Sequence, residues 1–332
     1  MLVSWNCTNQ CNMFCEHCYR DAGAKLSDEL TTSQGKELIL GIQRAGFKIM
    51  IFSGGEPLMR PDIFELGAFA ANAGLRVVLG TNGTLITPGA ASNLKKAGFM
   101  AAGVSIDSMI PEKNNHFRKL EDALSLTLEG INNLKEAGVP FQIHTTVMDW
   151  NVNELEDITD FAVSLGAVGH HVFFLVPTGR AVNIEEEALR VARYEKTIAR
   201  LMEKQKTVDI EIKPTCAPQF IRIADQKGIP IRFTKGCLAG ISYCIISPKG
   251  DVQPCAYLNI PLGNVKEEPF EQIWANNAVL NQLRSMDYQG KCGICDYKER
   301  CGGCRARAYY YSGGDYMAKD DWCLYQPGES NE

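Results

Sequence analysis

Cys11, Cys15 and Cys18 stand in the pattern CxxxCxxC within "CTNQCNMFCEHCYRDAG". Thiolates are soft ligands, and three on one short loop hold three irons of a four-iron cluster while the fourth iron stays open to a further ligand. Zinc is the alternative, although zinc sites more often join a CxxC pair to a second pair or to histidines. Cys7 lies outside the triplet and reads as a buried apolar side chain. Cysteine then disappears until positions 216, 237, 244, 255, 292, 295, 301, 304 and 323, which complete a set of 13. A reducing cytosol does not sustain structural disulfides and the count is odd, so metal ligation in two separate regions is the leading account. "CGICDYKERCGGC" fits iron or a zinc ribbon, because CxxC pairs alone do not separate the two.

The elements that must position the triplet are legible as an alternation. "LVSW", "KIMIFSGG", "RVVLGTNG", "AAGVSID", "FQIHTTV" and "HVFFLVPTG" are short apolar, β-branched runs, most of them ending in Gly, Ser, Thr, Asp or Asn, as buried strands do. Helical spacing runs between them over Thr32 to Ala45, Asp62 to Ala73, Pro88 to Ala97, Leu120 to Ala137 and Val152 to Leu165. Such alternation predicts parallel strands joined by crossovers, an α/β fold of the partial (β/α)6 TIM-like barrel kind. Ligands gather at the C-terminal ends of such strands. The triplet follows strand one, "SGGEP" (Ser53 to Pro57) strand two, "TNG" strand three, "SIDS" strand four and "PTGR" strand six. Turn chemistry explains any one of these alone, but five at one barrel end predict a common cleft.

Composition narrows the partners. The 332 residues, 45% hydrophobic and 22% charged, suffice for one large core or a core plus a smaller domain. A net charge of -5 offers no long-range attraction to phosphate backbones, so no nucleic-acid partner is expected. No apolar run approaches the roughly 20 residues that span a bilayer, and "MLVSWN" lacks the layout of a signal peptide. A cytoplasmic protein with no membrane partner is expected.

The triplet together with "SGGEP" resembles the radical S-adenosylmethionine superfamily. The resemblance implies that S-adenosylmethionine chelates the open iron through its amino and carboxylate groups. Reductive cleavage then yields a 5′-deoxyadenosyl radical that abstracts hydrogen from an unactivated carbon. It further implies that Gly54, Gly55, Glu56 and Pro57 anchor the methionyl amino group, that Asn82, Ser105 and Asp107 hydrogen-bond ribose or methionyl groups, and that Arg118 pairs with the carboxylate. A solvated loop arginine is the alternative for Arg118.

Cys237, twelve residues, Gly250, four residues and Cys255, followed by Cys292, Cys295, Cys301, Cys304 and Cys323, are similar to the SPASM extension, which holds two auxiliary clusters. "CGGC" has two residues inside its pair where that extension usually has three. Carried over, Cys237, Cys244, Cys255 and Cys304 bind one cluster, and Cys292, Cys295, Cys301 and Cys323 the other. Three 4Fe-4S clusters result, the auxiliary two fully ligated and suited to electron transfer. The implied division is a barrel with linker helix over 1–215 and a SPASM domain over 216–332.

"HTTVMDWN", "HHVFFLVPTGRAVNIEEE", "KPTCAPQFIRIA", "KGCLAG", "CIISPKGDVQPCAYL" and "CGGCRARAYYYSG" resemble the tetrapyrrole-modifying branch of the SPASM proteins, its haem synthases above all. That implies oxidative decarboxylation of two propionates of iron-coproporphyrin III to the vinyl groups of haem b, with a low-potential ferredoxin or flavodoxin as electron donor. Sister steps, namely deacetylation of didecarboxysirohaem or haem d1 side-chain modification, and peptide maturation are the alternatives. Arg180, Lys213, Arg222, Arg305 and Arg307 are candidate propionate partners, or else balance the charge of anionic clusters. His144, His170, His171 and Cys216 are candidate ligands of the substrate iron. Alternation turns His144 into the barrel, where a hydrogen bond to a neighbour is its ordinary role. Cys216 either approaches the substrate or is a quiet buried thiol.

Overall fold

All six apolar runs form strands in a computed structural model that describes residues 1–328. They are β1 (Leu2–Thr8), β2 (Ile49–Gly54), β3 (Arg76–Thr81), β4 (Phe99–Ser105), β5 (Phe141–Val147) and β6 (Gly169–Phe174). Each pairs in parallel with the next. The crossovers are α1 (Thr32–Arg44), α2 (Ile63–Asn72), α3 (Pro88–Lys96), α4 (Pro111–Arg118), α5 (Ala123–Glu136) and α6 (Leu155–Leu165). Local chemistry marks their starts: the Thr31 side chain accepts from the Gln34 amide in a reciprocal capping box, and Thr87 caps α3 just before a proline in its first turn. α4 was not expected; it opens on Pro111 and stops at Lys119 in the left-handed region, φ 53°.

The sheet is wider than six strands. After α7 (Val191–Gln205), β7 (Glu211–Thr215) joins β6 in parallel. At the opposite edge β8 (Tyr243–Ile246) pairs in parallel with β1 and continues antiparallel into β9 (Asp251–Gln253) and β10 (Gly263–Asn264). The order is β10-β9-β8-β1-β2-β3-β4-β5-β6-β7, with no pairing between the ends, so the barrel is open. The expected division at 215/216 is therefore crossed by the sheet, which the C-terminal third extends.

Alternation separates two faces. Val3, Trp5, Met50, Phe52, Val77, Leu79 and Ile143 are buried beneath the helices in one core. Close packing there demands glycine on the helices: a Cβ at Gly67 of α2 would stand 2.2 Å from the Phe99 ring. Each such buried side chain contributes about 1.5–3 kcal/mol. The other face carries small and polar residues, among them Ser53, Gly80, Gly103, Ser105, His144, His171 and Lys213, and lines the lumen. Short helices α8 (Phe220–Gln226), α9 (Phe270–Asn276), α10 (Ala278–Ser285), α11 (Gly290–Gly293) and α12 (Arg305–Tyr311) frame the C-terminal cysteines. Among the described residues no helix is long and apolar enough to cross a membrane.

Candidate active site

The triplet's loop leaves the end of β1 and is held against the loop after β2 by backbone. Thr8 O accepts from the Gly55 amide and Gln10 O from the Glu56 amide, each at 2.8 Å. A Cβ on Gly55 would stand 2.3 Å from Gln10 O, and one on Gly54, at φ +141°, 2.4 Å from Thr8 O. Only glycine permits that approach. The loop closes through Cys11 N to Gly23 O, 2.9 Å, and the Ala22 amide donates to Cys18 Sγ at 3.5 Å. Burial pushes the Cys15 thiol up to about 12 and raises Cys11 as well, so these sulfurs ionise only when a metal takes the proton's place. Cys7 lies in the apolar core.

Glu56 is fully buried, and its carboxylate accepts from Leu58 N at 3.1 Å, Asn82 N at 2.9 Å and Thr81 Oγ1 at 2.9 Å. Burial outweighs these donors and raises its carboxyl to about 7. Its side chain thus ties β2 to the end of β3, and "SGGEP" meets the triplet's loop through backbone, with a buried Pro57 opening a 3-10 turn. Asn82 Nδ2 donates to Asn12 Oδ1 at 2.8 Å, inside the cysteine loop. Ser105 Oγ donates to Thr81 O at 3.4 Å.

One alternative and one expectation change here. Arg118 is not a solvated loop arginine: its Nη2 lies 2.7 Å from Asp107 Oδ2, both residues buried, Asp107 Oδ1 accepts from Thr146 N at 2.7 Å, and Arg118 Nε is left without a partner among the described residues. A buried guanidinium requires a carboxylate at contact distance, and the chain supplies it. Arg180, expected at a propionate, clamps the cysteine loop. Its amide donates to Cys18 O at 2.9 Å, its Nε to Cys15 O at 2.9 Å and its Nη1 to Ala22 O at 2.7 Å, with the guanidinium over Phe14.

Sequence reading passed over His17, inside the triplet. It stacks on Phe117 at 4.2 Å, lies 3.8 Å from Asp107, and burial holds its pKa down at about 4, so it is neutral. Asn6 Nδ2, His17 Nδ1, Arg20 Nε and Arg118 Nε are buried without a hydrogen-bond partner among the described residues, all on or beside this loop. Buried orphans of this kind ask for a polar occupant. The thiols and these atoms fit a cluster-bound S-adenosylmethionine.

The C-terminal thiols fall into two groups. Cys292, Cys295, Cys301 and Cys323 line one cavity with Gln219 and Tyr325. The Asp320 amide at 3.4 Å and Arg305 Nη2 at 3.8 Å approach Cys292 Sγ. The second group contains Cys237, Cys255 and Cys304, but its fourth thiol is Cys216 rather than Cys244. Burial and then the thiols of Cys304 and Cys255 push Cys216 up, with Cys237 adding to them. Cys244 pairs with Val3 across β8 and β1, is 0% exposed in the apolar core, and has Arg284 as the one charge bearing on it. The alternation of β8 carries Cys244 to the helix side, away from the other thiols.

Cys216 has φ +59°, unusual outside glycine, and its carbonyl accepts from Arg307 Nη2 at 2.7 Å. Arg307 also reaches Tyr194 Oη at 3.0 Å and Asp320 Oδ2 at 3.3 Å, while Asp320 Oδ2 accepts from Cys304 N and Gln219 Nε2, each at 2.8 Å. Arg305 and Arg307 are therefore buried among the cysteines, and Arg222 pairs with Glu195 at 2.8 Å. All three guanidinium groups have partners within the chain. Among the described residues no three Cys, His, Asp or Glu side chains converge as a single metal ion requires.

In the lumen the His144 ring stacks on His171 with centroids 5.2 Å apart and planes 8° from parallel. His170 faces the helices, bonded to Thr159 Oγ1 and Thr145 Oγ1 at 2.9 Å each. Lys213 lies over Phe233 at 4.2 Å.

Residues 5–162 match the Radical SAM superfamily and residues 237–305 match SPASM, described as an iron-sulfur cluster-binding domain. The chain belongs to the radical SAM superfamily, in the branch that carries the SPASM domain. It is thus a radical SAM enzyme that uses S-adenosylmethionine and iron–sulfur clusters, three being typical of the family. Within that branch it is 44% identical to the AdoMet-dependent heme synthase of Methanosarcina barkeri, over 99% of this chain and 97% of that one. It is 40% identical to the enzyme of the same name from Nitratidesulfovibrio vulgaris, over 98% and 92%. The Fe-coproporphyrin III synthase of M. barkeri is 29% identical over 97% and 87%. The solved Streptococcus suis SuiB bound to S-adenosylmethionine shares the fold, with a TM-score of 0.77 at 15% identity over 98% of this chain and 77% of that one.

Proposed function

We propose that this protein is a haem synthase that converts two propionates of iron-coproporphyrin III into vinyl groups with release of carbon dioxide. The observation that carries the reading is end-to-end identity of 44% to an AdoMet-dependent heme synthase, against 29% to the Fe-coproporphyrin III synthase of the same organism. Cys11, Cys15 and Cys18 would hold the cluster that binds S-adenosylmethionine. Cys216, Cys237, Cys255 and Cys304 hold one auxiliary cluster, and Cys292, Cys295, Cys301 and Cys323 the other. When bound, these groups supply a hydrogen-abstracting radical and one-electron transfer.

The chain's own residues do the rest. The backbone of Gly54 and Gly55 presses the cysteine loop into place, while Asn82, Ser105 and the Asp107–Arg118 pair border the cofactor. Lys213 offers a cation to a propionate from the lumen wall. Arg305 and Arg307 offset the negative charge of the auxiliary clusters. Each propionate that becomes a vinyl group loses carbon dioxide, one hydrogen atom and one electron, so an electron exit is required, and one-electron carriers held by the C-terminal thiols would supply it. A low-potential ferredoxin or flavodoxin is the donor, in the cytoplasm, and the SPASM domain begins near residue 216.

Anaerobic incubation with reductant, S-adenosylmethionine and iron-coproporphyrin III, read by mass spectrometry, tests the reading. Two successive losses of carbon dioxide are expected. An unchanged porphyrin beside abundant 5′-deoxyadenosine would refute it.

A further inference from the structure

The lumen holds an imidazole that the rest of the chain does not use. The ladders β4–β5, β5–β6 and β6–β7 pair Ser105 with His144, His144 with His171 and His171 with Lys213, which sets these four side chains in one row. At one end Ser105 touches the backbone beside Asn82, and at the other Lys213 carries a cation. Alternating strand positions place this row on the lumen face, where Gly80 and Gly103 offer no side chains.

His144 Nε2 is buried and has no hydrogen-bond partner among the described residues, although the residue as a whole is only half-buried. Burial, reinforced by the neighbouring histidines and Lys213, holds its pKa well below 6.5. The ring is neutral, the form that donates a lone pair to a metal. Nothing but packing fixes it: its edge rests on Gly103, where a Cβ would stand 2.2 Å from Cε1, and its face on His171. No hydrogen bond from Nε2 is lost when the side chain swings about its Cα–Cβ bond toward the lumen.

The other candidates are held differently. Both ring nitrogens of His170 are bonded to threonines. His171 Nε2 also has no hydrogen-bond partner among the described residues, but it faces the Glu211 carboxylate at 3.7 Å, an anion beside it that His144 lacks, and its ring is the plate against which His144 stacks. The Cys216 thiol sits among the auxiliary thiols.

We propose that His144 is the axial ligand through which the barrel holds the central iron of the substrate, with His171 as the positioning residue behind it. This rests on the iron-porphyrin reading above. The bond forms between a neutral imidazole nitrogen and iron, a weak axial ligand such as water leaves, and no electron or proton is transferred. Iron recognition of this kind lets the enzyme separate the metallated macrocycle from its metal-free counterpart, which the propionate contacts alone do not do.

Anaerobically reconstituted protein is loaded with ferrous iron-coproporphyrin III and the iron–imidazole stretching band is read by resonance Raman. The band is expected in the wild type, absent in His144→Ala, and restored by added imidazole. His144→Ala is expected to bind iron-coproporphyrin III about tenfold or more weakly, as losses at metal centres run, while its affinity for metal-free coproporphyrin III is unchanged. Cluster iron measured on the same samples excludes misfolding, and His144→Gln replaces the alanine variant if that one loses its clusters. A band that persists in His144→Ala overturns the proposal, as does an equal loss of affinity for both porphyrins. A wild type that binds neither porphyrin refutes the substrate reading and this inference with it, whereas wild-type binding without an imidazole band refutes the inference alone.

Discussion

Replacing Cys216 and Cys244 separately by alanine tests how the C-terminal thiols are partitioned. Cys216 stands in the left-handed region at φ +59°, a conformation that costs a non-glycine residue about 1–3 kcal/mol, and Arg307 and Tyr194 hold its carbonyl there. Strain held by two buried side chains is accounted for when the thiol they aim has work to do beside Cys237, Cys255 and Cys304. Reconstituted wild-type protein should bind about twelve irons, since three four-iron clusters fill eleven thiolates. Cys216→Ala leaves three thiols at one auxiliary site, and iron should fall toward about eight if that cluster is lost. Cys244→Ala removes one sulfur from a fully buried apolar site and should keep about twelve irons while lowering unfolding stability by about 1 kcal/mol, the scale of one deleted methyl-sized group. Iron and acid-labile sulfide per chain, with a denaturation midpoint on the same samples, provide the readout. The reverse pattern, iron lost with Cys244 and kept without Cys216, would refute the partition.

Replacing Cys292 and Cys295 together by alanine should remove the other auxiliary cluster yet spare cleavage of S-adenosylmethionine, with vinyl product falling by a much larger factor than 5′-deoxyadenosine; parental vinyl formation without that cluster would make it structural. Gly55→Ala should abolish S-adenosylmethionine cleavage while leaving the C-terminal clusters in place, because its Cβ would meet Gln10 O at 2.3 Å and push the cysteine loop away; electron paramagnetic resonance of the reduced protein with and without the cofactor reads this. Burial holds His170 at about 3, below its ordinary 6.5, so the folded protein refuses a proton that the unfolded chain accepts. Its contribution to stability is whole above pH 6.5 and is lost as pH falls toward 3, at about 1.4 kcal/mol per pH unit. The pH dependence of the urea midpoint should be shallower by that amount in His170→Asn, and equal slopes would contradict the assignment.

The local signals carried far. Strand runs and helix spacing are short-range patterns, and the six strands and five of the crossover helices emerge within a few residues of where periodicity puts them. The CxxxCxxC loop and "SGGEP" were legible for the same reason: residues a few positions apart share one turn of backbone, so their type and spacing already state which chemistry they can hold. His144 in the lumen follows from a period of two along β5.

Pairings between distant residues were decided only by the tertiary structure. Whether Arg118 meets a cofactor or Asp107, and whether Arg180 meets a propionate or the carbonyls of Cys15 and Cys18, depends on which strand ends the barrel brings together. A buried guanidinium takes the nearest acceptor, and spacing along the chain does not reveal which that is. Cys244 and Cys216 make the same point. Both are cysteines in the right third of the chain, but β8 docks on β1 and its alternation turns Cys244 into the apolar core, while Arg307, ninety-one residues beyond Cys216, holds the latter's backbone in the conformation that faces the other thiols. Residue type dictates that these sulfurs can bind iron; strand register and a buried ion pair dictate which of them stand together.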